Sequence, residues 1–161
     1  MIDFFWAVGI TTTSVILILV NGAMGLNKWV YLICIGLWGA RLAIYFAMTR
    51  LMTKHYDHRY GQLIKKNNHQ SFIFQHVLQC ILQVLMVCTS YQLIGDAVGY
   101  SIGLILGCLV FLIGLFGQAI ADIQLNRFKR ASPGICDVGL WGRCRHPNYF
   151  FEVVIWVGLF L

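Results

Sequence analysis

The chain has 161 residues, 59% of them hydrophobic and 11% charged, with a net charge of +6. Soluble domains carry about 25% charged residues, so this composition excludes an ordinary water-soluble globule and places the chain in a membrane. The length allows one domain, taken as 1–161, and no nucleic-acid partner is expected.

Five apolar segments follow one another. The first runs from about Phe4 to Leu26 and the second from about Trp29 to Met48. The third covers about Phe72 to Ile94 and the fourth about Val98 to Ala121. Each of these four reaches the ~20 residues that cross about 30 Å of hydrocarbon. The fifth opens near Asn148 and stops at Leu161; at 1.5 Å per residue its ~14 residues give roughly 21 Å. The expected fold is therefore an all-α, polytopic transmembrane helical bundle of about five helices. Its last helix is short or truncated, or is completed by a partner or a second copy. The start, Met1-Ile2-Asp3, lacks the basic region of a cleavable signal peptide.

Charge divides the connections. Arg50, Lys54, Arg59, Lys65 and Lys66 lie between segments two and three; Arg127, Lys129, Arg130, Arg143 and Arg145 lie between segments four and five. The opposite connections hold only Lys28 and Asp96. The positive-inside rule then puts both basic loops and the N-terminus in the cytoplasm. In segment four, Gly99, Gly103, Gly107, Gly114, Gln118 and Ala121 share nearly one face. Small residues so spaced predict close packing of two helix backbones. The six cysteines form no C-x-x-C pair and have no histidine at ligand spacing, so neither a metal site nor a disulfide is expected.

The densest chemistry lies between Trp141 and Glu152. Arg143, Arg145, His146, Asn148, Tyr149 and Glu152 stand there amid apolar sequence. Pro147 suits the first turn of a helix, which leaves Arg145 and His146 beside exposed helical amides that favour an anion. Two arginines at such a place predict a phosphate or carboxylate clamp, or a patch for lipid head groups. Gln118, Asp122 and Asn126 recur at four-residue intervals and form a polar stripe leading into this loop, with Gln124 and Lys129 alongside. An acid and amides beside arginines would suit the hydroxyls and amide of a nucleotide. Arg41, inside an apolar segment, should face the bundle interior and meet a partner; Tyr45 lies one turn away.

The runs Ala121–Lys129 and Gly139–Tyr149, followed by Glu152, Trp156 and Gly158, resemble the C-terminal domain of the steroid 5-alpha-reductase superfamily. They resemble most its large bacterial branch, the domain of unknown function 1295 family, and more distantly the isoprenylcysteine carboxyl methyltransferases. Asp3–Trp6, Trp38–Leu42, Arg50 and Asp57–Tyr60 match that branch in the expected order, so the resemblance covers nearly the whole chain. It implies a bacterial inner-membrane oxidoreductase that uses NADPH to reduce the carbon–carbon double bond of a hydrophobic, steroid-like or lipid-like enone.

Under the resemblance the cofactor residues are Asp122, Gln124, Lys129, Arg143, Arg145, His146, Asn148, Tyr149 and Glu152, within a motif spanning 118–156. The reductases take a proton donor from a glutamate and a tyrosine of earlier helices; the nearest candidates are Asp3 and Tyr45. The sequence departs from the pattern at Cys144, where serine is usual, at Phe151, where glycine is usual, and in stopping at Leu161. Two alternatives follow: an S-adenosylmethionine-dependent membrane methyltransferase, which shares an Arg-His-Pro-x-Tyr…Glu element, and an inactive, truncated family member.

Overall fold

The structure, a computed structural model, describes residues 2–20, 25–51, 73–74, 77–85, 87, 102–131 and 134–161, the side chains of 2–5 and 50–51 excepted. Among these residues every regular element is helical. The chain falls into two compact units, Met1–Val98 and Gly99–Leu161.

In the first unit, α1 spans Ile2–Val20 and α2 spans Leu26–Phe46, and helical residues 77–85 form α3. One face of α1, Ala7, Ile10, Ser14 and Ile18, is buried, as is the α2 face of Lys28, Tyr31, Ile35, Trp38 and Gly39. The spacing of three and four residues on both is that of a helical stripe. Thr11 lies against Gly39 so closely that a side chain there would overlap its hydroxyl, which instead donates to the Ala7 carbonyl at 2.9 Å. Gln83 of α3 reaches the Trp6 carbonyl at 3.4 Å.

Two boundaries differ from the sequence expectation. Leu26 opens α2 rather than closing α1, because Gly25 adopts an extended conformation (φ −78°, ψ 167°) and serves as the N-cap. Lys28 therefore belongs to the first turn of α2 rather than to a loop, and it is 7% exposed. At its other end α2 passes directly into a π-helical turn, Ala47–Leu51. There the Thr49 hydroxyl donates to the Tyr45 carbonyl at 2.6 Å. Most of the first basic loop, with Lys54, Asp57, Arg59, Lys65 and Lys66, lies outside the described residues, as does Asp96.

The second unit is a pair of helices, α4 (Ile102–Ala131, 30 residues) and α5 (Pro147–Phe160, 14 residues). Gly107 and Gly114 of the predicted glycine face lie at the seam between them, and Gly99 lies outside the described residues. A Cβ on Gly107 would lie 2.7 Å from the Gly158 carbonyl, and one on Gly114 would lie 2.7 Å from the backbone and side chain of Ile155. Gly158 in turn is closed off by the Phe111 backbone. Contacts that descend in number on α5 as they ascend on α4 make the pair antiparallel. Phe151 fits because Gly117 faces it: a Cβ on Gly117 would overlap atoms of the Phe151 ring. The missing methyl on one helix accommodates the ring on the other.

Two helical stretches, Leu26–Thr49 and Ile102–Ala131, are long and apolar enough to cross a membrane. Away from the seam, α4 exposes Ile105, Leu109, Ile113, Phe116 and Ile120, and α5 exposes Phe150, Val153 and Val157. Continuous apolar surface of this kind fits lipid rather than water. At ~1.5 Å per residue α4 is about 45 Å long, against about 30 Å of hydrocarbon. The helix, with its polar last third, is thus longer than an apolar layer of that thickness.

Candidate functional site

The polar end of α4 meets the start of α5 through a short connection whose shape is fixed by three contacts. The Leu140 amide donates to Gln124 Oε1 at 3.0 Å, and the Trp141 indole donates to the Ala121 carbonyl at 2.9 Å. Gly139 makes the turn with φ +61°, and a side chain there would run into the Gln124 amide 2.7 Å away. Glycine alone satisfies both conditions. Amides of Trp141, Arg143 and Cys144 then bond to carbonyls three or four residues back, which winds the turn tightly and delivers Arg143, Arg145 and His146 to the start of α5.

His146 is the N-cap, and no side chain caps the helix. Pro147 at the first position lacks an amide hydrogen, so it leaves no unmet donor there. Arg143, Arg145, His146 and Tyr149 are exposed. They form a rim facing solvent rather than the helix seam. The His146 and Tyr149 rings meet edge to face, centroids 5.6 Å apart.

Beneath this rim the seam turns polar. Gln118 and Asp122, one turn apart on α4, are each 5% exposed. Glu152 of α5 accepts a hydrogen bond from Gln118 Nε2 on one carboxylate oxygen and from the Trp156 indole, at 3.0 Å, on the other. Asn148 stands one turn before Glu152. Its Oδ1 is buried without a hydrogen-bond partner, and so is Gln118 Oε1. A buried acceptor left unmet costs about 1–3 kcal/mol. The two orphaned oxygens could serve as a floor accepting N–H or O–H donors, and the arginines of the rim could pair with an anion.

The seam joins Gln118 to Glu152, with Asp122 buried one turn after Gln118 and Gln124 bracing the turn that carries the rim. Lys129 is exposed in the last turn of α4, roughly 10 Å further along the axis at 1.5 Å per residue. Three participants were not among the expected site residues. Gln118 was visible only as part of the stripe, four residues before Asp122. Trp156 stands four residues after Glu152, a spacing that places both on one face. Trp141 was visible only within the Gly139–Tyr149 run, and its partner is a backbone carbonyl on another helix. Asp3 belongs to α1, with its side chain outside the described residues. Tyr45 lies in the last turn of α2 with the Arg41 guanidinium 5.5 Å from its ring centroid, within the range of a cation–π contact.

Residues 1–161 match the sequence profile of the family described as "Protein of unknown function (DUF1295)", and the chain belongs to that family. No curated protein and no solved structure matches it.

Proposed function

We propose that the chain is a membrane-embedded, NADPH-dependent reductase of a hydrophobic enone, with the dinucleotide held at the α4–α5 end of the second unit. The observation that carries this reading is the pairing of a cationic rim with an acceptor-lined floor. A dinucleotide phosphate needs both: cations for its phosphates, acceptors for its hydroxyls and amide. Arg143 and Arg145 would take phosphate, with Lys129 further out along α4, and the uncapped amides at the start of α5 would assist. Tyr149 and His146 would shield the bound ligand from solvent. Gln118, Asp122 and Asn148 would accept donors from the ligand. When bound, NADPH supplies a hydride, and the protein supplies position and field. Tyr45, whose ring centroid lies 5.5 Å from the Arg41 guanidinium, is the proposed donor to the substrate carbonyl oxygen, and Asp3 is the proposed acid.

On this reading the substrate enters from the lipid, the host is the bacterial inner membrane, and both basic loops face the cytoplasm where NADPH is made. A second reading, an S-adenosylmethionine-dependent methyltransferase, draws on the same floor: acceptors and carboxylates also suit an ammonium group.

The two readings separate by thermal shift of the full chain in detergent with NADPH, NADH and S-adenosylmethionine in turn. A ligand bound only by the native state adds about 2.7 kcal/mol at a hundredfold excess over its dissociation constant. Stabilisation by NADPH is the expected result. Stabilisation by S-adenosylmethionine alone would replace the first reading with the second, and none with any ligand would favour a chain without either activity.

A further inference from the structure

The hydrogen-bond polarity of the Trp156–Glu152–Gln118 chain is fixed by chemistry alone. An indole N–H only donates, and an ionised carboxylate only accepts. Trp156 occupies one oxygen of Glu152 and the Gln118 amide nitrogen occupies the other. Gln118 must therefore turn its carbonyl away from Glu152, and that oxygen is the one left buried and unmet. Without the carboxylate, the amide could flip and present N–H instead. Asn148 Oδ1, one turn before Glu152 on the same face of α5, is the second unmet acceptor.

We infer that Glu152 is a positioning residue: held by Trp156, it locks the Gln118 amide so that two buried acceptors, Gln118 Oε1 and Asn148 Oδ1, select a ligand bearing an N–H donor, a primary carboxamide or an aromatic amine. The inference rests on the dinucleotide reading above and deepens it, assigning the selecting atoms to Gln118 and Asn148 and the orienting role to Glu152 and Trp156. A site built on buried acceptors rejects a ligand lacking the donor, because the acceptors then stay unpaired.

The test is the binding of three reduced dinucleotides to the full chain in detergent. They are NADPH, its analogue with an acetyl group in place of the carboxamide, and its analogue with unsubstituted purine in place of adenine. The wild type should bind NADPH at least tenfold more tightly than one of the two analogues, and the analogue rejected names the end of the cofactor that meets the pair. Gln118→Leu should erase that preference, and Glu152→Gln should shrink it to under threefold by freeing the amide to flip. A fold defect would instead weaken all three ligands alike, so the ratio separates positioning from stability. Equal wild-type affinity for all three overturns the inference while leaving dinucleotide binding intact, as does a preference that survives Glu152→Gln unchanged. Absence of binding by every dinucleotide overturns both.

Discussion

At the scale of single residues, the second unit rests on compensations between positions far apart in sequence. Gly117 and Phe151 are the clearest pair. Gly117→Ala should lower stability by about 1–3 kcal/mol, the usual penalty of overpacking, because the new methyl would meet the Phe151 ring. Phe151→Ala in the same chain should relieve the clash, so the double variant loses less than the sum of the singles, measured as thermal midpoints in detergent. Equal, additive losses would show that the two positions do not touch. Gly139→Ala should cost about 1–2 kcal/mol, since its backbone is left-handed, and should loosen the turn that carries the arginines. From the sequence, Phe151 read only as a departure from a pattern. Its partner lies on another helix, and no local periodicity links them. The arginines, His146, Asn148 and Glu152 were legible because charge and amides stand out in apolar sequence. The hydrogen bonds of Gln118 and Trp156 to Glu152 were not, because the Gln118–Glu152 bond exists only once the two helices are paired.

At the scale of elements, the helices were legible from apolar length and their ends were not. The fifth segment was placed within a residue of its observed start because Pro147 marks a first turn. The fourth apolar stretch ends at Ala121, the four-residue recurrence of Gln118, Asp122 and Asn126 continues the helix past it, and backbone bonding carries α4 on to Ala131. Helical propensity does not depend on the hydrophobicity that sets a membrane boundary, so the two ends need not coincide. The glycine face of α4 was read correctly as packing, and α5 is what packs there. The connection between α4 and α5 is held by side-chain bonds to α4 while its cations face solvent, which gives the binding step a salt signature. Raising ionic strength from 0.05 to 0.5 M should weaken dinucleotide binding at least tenfold, since exposed charges are screened over a Debye length that falls from about 14 to about 4 Å. Affinity indifferent to salt would mean that the arginines do not contact the ligand.

At the scale of the whole molecule, the all-helical, membrane-compatible architecture followed from composition, and membership in the family follows from the full-length match. Sidedness is the next quantity to measure. Cys144 is exposed within the second basic loop. Retained as the only cysteine, it should react with a membrane-impermeant maleimide in inside-out vesicles and not in right-side-out ones. The opposite pattern would reverse the topology drawn from the basic loops and contradict a cytoplasmic position for the proposed cofactor site. The account depends most on the claim that the turn ahead of α5 holds a phosphorylated dinucleotide over the polar seam. Equilibrium dialysis of the purified full chain against NADPH tests that claim directly. Saturable binding at one site, weakened at least tenfold by Arg145→Ala with the fold intact, is the predicted result. Absent binding, or binding untouched by that substitution, would contradict it.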